Sequence, residues 1–275
     1  MNNINTLVFG CSGLIGIELI KNIKKKESLF LSRKKPRNLS SKYWKKIDLN
    51  SKIKGLPNKV EKIFFLASPY YVKNNIKKKY FKKEFIWINK ICKKIKTKTF
   101  IYLSSSSVYL KKHPIGEVKI KCEIFLKKSK IKNLQIWRPF NIIGFFENKI
   151  SDHFHNLLIK KFIISKKSAY TFNGNEFDVR GYSSAKKFCR KVISKSKTNK
   201  SFLLNYGNSN TITISRMVEI FKKIYKKKYS KNIDIAFKSK KKNINIINKS
   251  KKTRTINSNE NSKKVLTNYF KKMIL

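Results

Sequence analysis

The chain has 275 residues, 40% of them hydrophobic, which suffices for one two-part α/β protein or two small domains and excludes wholesale disorder. Lys and Arg number 67 against 14 Asp and Glu, a formal net charge of +53. Only seven of the basic residues are Arg, whereas surfaces that read phosphates and base edges depend on the bidentate fork of Arg. Lys, Asn and Ile swell together along the whole chain, so the charge reads as a solvated surface with a general liking for anionic ligands. A dedicated polyanion-binding role is the alternative; a specific nucleic-acid partner is not expected. Cys11, Cys92, Cys122 and Cys189 show no C-x-x-C spacing and predict reduced thiols without a disulfide or metal framework, hence a cytoplasmic protein. No apolar run approaches about 18 residues, and no basic stretch precedes Lys21, so neither a membrane span nor a secretion signal is expected.

In chain order, "NTLVF" is the first strand candidate. It is followed by Gly10, Gly13 and Gly16 and then by "LIGIELIKNI", where Leu14, Ile15, Leu19 and Ile23 recur at helical spacing. "SLFLS", "KIFFLAS", "TFIYLSS" and "LQIWRPF" are further strands, with Lys-rich helical stretches at 81–94 and 116–127 between them. Strands that are apolar throughout and alternate with helices predict an α/β, Rossmann-type, doubly wound parallel sheet. Beyond about residue 146 the pattern becomes irregular. A helix from Ser184, a strand at "SFLLNYG" and a helix at 215–225 with Ser215 as N-cap are expected, then a poorly ordered stretch at 231–262 before a terminal segment at "VLTNYF". The expected division is a dinucleotide-binding domain at 1–146 and a smaller substrate-binding part at 147–275, some segments of which return to the sheet.

The glycines are informative through their context. They follow an apolar strand and open an amphipathic helix. Gly10 permits the tight turn, Gly13 lets backbone approach a pyrophosphate, and Gly16 lets the helix pack on the strand. At the end of the second strand stand Ser32 and Arg33, with no acid nearby to bind a ribose 2′-hydroxyl. A basic group there suits a 2′-phosphate, so NADP(H) is favoured over NAD(H).

The glycine spacing resembles the extended short-chain dehydrogenase/reductase family, which holds nucleotide-sugar epimerases, dehydratases and reductases. Later stretches resemble its motifs in the same order. "IDL", with Asp48, resembles the acidic residue that contacts adenine. "IFFLAS" resembles V-x-H-L-A-A, "FIYLSSSSVY" the active-site serine strand and "IGEVKIKCE" Y-G-E-T-K-L-x-G-E. "WRPFNIIG" resembles L-R-x-F-N-x-x-G, and "LNYGNSNTITISRMVEI" the C-terminal N-x-G-x-x-x-x-S-x-x-E segment. The resemblance covers residues 5 to about 225. It implies cofactor contacts at Gly10, Ser12, Gly13, Leu14, Ile15, Gly16, Ser32, Arg33, Asp48, Leu49, Leu66, Ala67, Ser68 and Lys119, and catalytic roles for Ser105 and Lys119. Asn141 and Arg180 would contact the diphosphate of a nucleotide-linked sugar. A homodimer is compatible with it.

One position departs from the family. Ile115 stands where the family has the Tyr that exchanges a proton with the sugar, a phenol activated by the Lys four residues on. With Lys119 in place, Ile115→Tyr is expected to raise hydride transfer. Tyr109 or His113 could act as a displaced acid, while "YSSAK", Tyr182 to Lys186, matches Tyr-x-x-x-Lys at the wrong place in the chain. Two readings follow: an NADP(H)-dependent enzyme of nucleotide sugars, impaired or not, and a cofactor-binding relative without hydride chemistry.

The charge alone generates one expectation. Binding to duplex DNA should be weak and independent of sequence, and should fall steeply as salt rises from 50 to 200 mM (roughly) in a filter-binding titration, because only counterion release drives it. Salt-resistant binding to one sequence overturns the solvated-surface reading.

Overall fold

The computed structural model describes residues 4–69, 78–110, 112–144, 153–238 and 253–275. The chain forms two compact units. The first comprises Met1–Pro139, Ala185–Tyr206 and Lys252–Ile256; the second comprises Phe140–Ser184, Gly207–Lys251 and Asn257–Leu275. The sequence-based boundary at 146/147 falls within 145–152, outside the described residues.

The first unit carries an eight-stranded sheet. Its strands are β1 (Thr6–Phe9), β2 (Ser28–Ser32), β3 (Trp44–Lys46), β4 (Lys59–Phe65), β5 (Lys96–Leu103), β6 (Asn133–Pro139), β7 (Phe202–Gly207) and β8 (Thr255–Asn257), in the spatial order β8-β7-β6-β5-β4-β1-β2-β3. Every pairing from β3 through to β7 is parallel. The chain winds outward from β1 to β3, then restarts at β4 on the other side of β1 and winds the opposite way. This is the α/β, Rossmann-type, doubly wound sheet, with its switch point between β1 and β4. The strands are apolar because both faces are covered. Phe9, Phe65 and Phe100 line up across β1, β4 and β5 with ring centroids 6.1 and 6.3 Å apart, and all three are fully buried. Truncating one such ring to Ala would cost about 3–5 kcal/mol.

Four helices accompany the sheet: α1 (Leu14–Ile20), α2 (Lys78–Lys94), α3 (Pro114–Lys128) and α4 (Ala185–Ser196). α2 and α3 pack on each other, with Phe85 edge-on to Phe125 at 5.3 Å, and both feed one core cluster that includes Ile88, Ile91, Val118, Cys122 and Leu126. α1 packs on α4, where the Cys189 thiol donates to the Ile15 carbonyl at 3.4 Å. α1 is shorter than its apolar spacing predicts. The Asn22 amide donates to the Glu18 carbonyl at 2.9 Å, and this local competition for a backbone acceptor closes the helix before Ile23. α3 begins at Pro114, two residues before the expected start; proline suits the first helical position and His113 caps it.

The second unit is built round α5 (Ile214–Tyr229) and α6 (Ser262–Ile274), which meet through Phe221 and Phe270 at 5.2 Å, edge to face. Short strand pairs flank them: Asp234–Phe237 runs parallel to Ala169–Phe172, and Thr211–Thr213 antiparallel to Val179–Gly181. The N-cap of α5 is Thr213, whose Oγ1 accepts from the Arg216 N–H at 3.1 Å, and not Ser215, which lies inside the first turn. The segment read as poorly ordered contains described strands at 234–237 and 255–257, while 239–252 lie outside the described residues. The terminal segment is α6, capped by Asn261.

His155 is buried in this unit with its ring edge-on to Tyr182 and Tyr269. Burial, with smaller contributions from His153 and Arg180, pushes its pKa down to about 3. An unfolded His titrates near about 6.5, so the unfolded chain takes up a proton that the folded chain refuses. The stability this neutral ring supports is complete above about pH 6.5 and is lost progressively toward about pH 3. Between pH 7 and pH 5 the loss should be roughly 2 kcal/mol in urea unfolding. His155→Phe should flatten that part of the pH profile; an unchanged profile would contradict the buried neutral ring.

Candidate functional site

The glycine loop leaves β1 at the switch point. Gly10 has φ +85, a conformation L side chains rarely adopt, and a Cβ on it would lie 2.6 Å from the Ala67 nitrogen just beyond β4. Gly16 is closed in as well, because a Cβ there would lie 2.6 Å from the Cys11 backbone. Gly13 differs. Its backbone is ordinary (φ −84), and the nearest protein atom to an added Cβ is the Gly10 carbonyl oxygen at 3.4 Å. The loop is fastened by the Gly10 and Cys11 N–H groups donating to the Leu31 carbonyl and by the Gly13 N–H donating to the Gly10 carbonyl. Ser12, Leu14 and Ile15 are half-buried around it. Cys11 is no nucleophile: burial raises its thiol pKa to about 11.

Of the other residues read as cofactor contacts, Ser32, Leu66 and Ala67 reach the loop directly. The Ser32 hydroxyl is committed inward. It donates to the Lys34 carbonyl at 2.6 Å and accepts from the Cys11 thiol and the Trp44 indole N–H. Arg33 is exposed. Asp48 is exposed and accepts from both the backbone and the side-chain amide of Asn50, while Leu49 is buried. Leu66 and Ala67 are half-buried, and the Ser68 hydroxyl donates to Glu84 Oε2 at 2.9 Å.

Past β5, Ser105 Oγ accepts from both the N–H and the hydroxyl of Ser107, at 3.1 and 2.9 Å. With its acceptor positions used in this way, the Ser105 hydroxyl has its own proton to give. Lys119, on α3, is 5% exposed. Its ammonium donates to Glu84 Oε1 at 2.6 Å and to the Leu103 carbonyl at 2.9 Å. Ile115 lies one turn before Lys119 and is half-buried. His113 is occupied as the cap of α3, its Nδ1 accepting from the Gly116 N–H at 3.4 Å, and partial burial lowers its pKa. The Tyr109 hydroxyl accepts from Arg138 Nη1 at 2.9 Å and donates to Asn205 Oδ1 at 2.8 Å, so neither residue is a ready substitute acid.

Two buried acids organise this region, and the sequence reading assigned Glu84 no role. Glu84 is fully buried on the apolar face of α2 and gathers Lys119, Tyr102 (2.8 Å) and Ser68. Glu123 takes a two-pronged contact from Arg138 and a hydrogen bond from Ser104. The available signal was an acid inside the apolar stripe "EFIWI" of a chain with so few acids.

In the second unit, Asn141 has φ +40 and its side-chain amide donates to the Gly181 carbonyl at 3.3 Å. Arg180 is partly exposed and lies 3.7 Å from Asp178. Tyr182 is 2% exposed and burial raises its pKa, whereas Lys186 is exposed; the two lie on different elements, so "YSSAK" builds no catalytic pair.

No protein-family model matches the sequence, and no curated protein matches it. Solved structures do match in fold. UDP-N-acetylglucosamine 4-epimerase from Methanobrevibacter ruminantium M1, in complex with UDP-N-acetylmuramic acid, is 18% identical with a TM-score of 0.70, covering 98% of each chain. UDP-glucuronic acid 4-epimerase from Bacillus cereus, in complex with UDP-glucuronic acid and NAD, is 19% identical with a TM-score of 0.68, covering 98% of this chain and 99% of that one. A UDP-galactose 4-epimerase is 15% identical with a TM-score of 0.71, covering 97% of each. The shared feature is the fold, a mostly parallel eight-stranded sheet flanked by helices. Among the described residues no helix is long and apolar enough to cross a membrane, and no group of His, Cys, Asp and Glu could hold a metal ion.

The three glycines should separate in a stability assay. Gly10→Ala and Gly16→Ala force a Cβ into backbone and should cost more than about 2 kcal/mol in urea unfolding. Gly13→Ala should cost less than about 1 kcal/mol. Equal losses at all three would show that Gly13 is closed in like the others.

Proposed function

We propose that this chain is a nucleotide-sugar epimerase-like protein of the extended short-chain dehydrogenase/reductase type, and that it binds a nicotinamide dinucleotide beside a nucleotide-linked sugar. The observation that carries the reading is the glycine loop at the switch point, with Gly10 and Gly16 closed by protein backbone and Gly13 left open. A dinucleotide fits there: the open side of Gly13 gives a pyrophosphate room to meet backbone N–H groups, with Ser12, Leu14 and Ile15 alongside. Asp48 and Leu49 would border the adenine, and Leu66, Ala67 and Ser68 the far wall. The Ser32 hydroxyl is already used, so Arg33 carries the preference for NADP(H) over NAD(H). The complexes of the fold neighbours with UDP-sugars, and of the Bacillus cereus enzyme with NAD, support the ligand classes.

When bound, the nicotinamide ring supplies a hydride donor or acceptor. The chain's own contribution is to place the sugar. Ser105 donates its proton to a sugar oxygen, with its hydroxyl held from behind by Ser107. Lys119 offers a remaining N–H to a ligand hydroxyl. Asn141 and Arg180 are the candidates for the diphosphate. General acid–base transfer contributes about 10²–10⁴-fold in such reactions, and Ile115 can neither give nor take a proton. That residue favours a second reading, a cofactor-binding protein with slow or absent turnover.

Fluorescence titration tests the cofactor site. NADPH should bind more tightly than NADH, and Arg33→Ala should erase the difference. Gly13→Val should abolish binding of both while the protein stays folded. A preference for NADH that survives Arg33→Ala removes the NADP(H) assignment, and normal binding by Gly13→Val removes the dinucleotide site. Turnover of a panel of nucleotide sugars separates the two readings of activity.

A further inference from the structure

Lys119 is not an ordinary surface lysine, and it is not a lone cation. Its side chain is 6% exposed and that of Glu84 is fully buried, with 2.6 Å between the ammonium nitrogen and Oε1. Glu84 reaches Lys119 from α2, receives the Tyr102 hydroxyl from β5 and receives the Ser68 hydroxyl from the loop after β4. The remaining ionisable groups close by add no net charge. Burial and the neighbouring Glu84 hold the Tyr102 hydroxyl neutral, far above its ordinary range, and burial raises the Cys122 thiol to about 12. Glu123 is matched by Arg138. Lys119 and its surroundings together therefore sum to zero, with Glu84 supplying the one charge that offsets the ammonium.

We propose that Glu84 is a positioning residue that cancels the field of Lys119, leaving Lys119 a hydrogen-bond donor and not a cation able to acidify a group on the same face of α3. An unopposed cation within about 4–6 Å lowers the pKa of an acid by about 1–3 units. A carboxylate in contact with that cation opposes it at nearly the same range. The inference rests on the reading of Ser105 and Lys119 as part of a site. It also changes what Ile115→Tyr alone can do: the introduced phenol meets a neutral pair, so this single substitution does not restore an activated acid.

The test needs no cofactor. The phenol introduced by Ile115→Tyr, one turn from Lys119, is titrated by ultraviolet difference absorbance against the parent lacking it. Three backgrounds are compared: the pair intact, Glu84→Gln, and Glu84→Gln with Lys119→Met. With the pair intact and with the pair replaced, the phenol should titrate within about half a unit of the same value, near the ordinary range of about 10. With Glu84→Gln alone it should fall by about 1–3 units. A phenol more acidic with the pair intact than with the pair replaced, by more than about half a unit, overturns the proposal. So does the absence of a fall in Glu84→Gln. If Glu84→Gln does not fold, the first comparison decides by itself, since replacing both partners of a buried pair is tolerated better than removing one. NADPH titration of the same variants keeps failure of the cofactor reading distinguishable from failure of this one.

Discussion

The approach of Gly10 to the backbone of Ala67 is the constraint on which the first unit's arrangement depends. β1 and β4 pair in parallel, Phe9 opposite Phe65, so the chain leaving β1 and the chain leaving β4 emerge side by side. A side chain on Gly10 would strike the nitrogen of Ala67. Without one, β1 can turn at once into α1 while β4 continues outward to Ser68. Because the sheet is parallel, the loops after β1, β2, β4 and β5 all open at its carboxyl edge. Residues far apart in sequence, from Gly13 to Arg33, Ser68 and Ser105, thus belong to one edge of one sheet. That edge, at the point where the winding reverses, is where open α/β sheets receive ligands.

The excess of positive charge bears on this arrangement through the few acids. Long Lys side chains tolerate surface positions because the stem can lie on apolar area while the ammonium stays in water. They add repulsion and solubility, and fix no fold. The buried acids are another matter. Glu18, Glu84 and Glu123 are each at most 7% exposed, and each meets a basic side chain: Lys21, Lys119 and Arg138. Burying a carboxylate without a partner costs several kcal/mol, by order of magnitude, so these three positions each require a cation whatever the composition elsewhere. In a chain with 67 basic residues, Lys119 and Arg138 are distinguished by the acids that hold them.

Much of the fold was legible in the sequence because a sheet covered on both faces makes short, wholly apolar runs. "SLFLS" is β2 from end to end, and "TFIYLSS" and "LQIWRPF" overlap β5 and β6. The errors fell where local hydrogen bonding competes with periodicity. Asn22 stops α1 short of Ile23, and Thr213 caps α5 in place of Ser215. The ordering of Ser32 was illegible for a different reason. Its three partners come from Cys11, Lys34 and Trp44, and nothing in "FLSRKK" tells which way the hydroxyl turns. Glu84 was the largest omission, since its partners come from the loop after β4, from β5 and from α3. Periodicity sees only a polar residue on an apolar stripe; a tertiary contact ties it to Lys119.

The pairing of Lys119 with Glu84 also alters what Lys119 can be evidence for. At a position where a family keeps a catalytic lysine, a lysine reads as a sign of retained chemistry. Here the buried carboxylate explains the lysine by itself: Glu84 must have a cation, and removing either partner alone leaves an uncompensated charge worth about 3–5 kcal/mol. Such a lysine would be kept for that reason alone, whatever chemistry the site performs. The weight of the functional reading therefore rests on features with no such independent structural need. The open side of Gly13 is one, since an alanine Cβ would meet only the Gly10 carbonyl oxygen there, at 3.4 Å. The Ser105 hydroxyl is another, because its acceptor side is filled by the N–H and hydroxyl of Ser107. Both are arrangements that a ligand would complete, whereas the charge of Lys119 is already met by Glu84 without one.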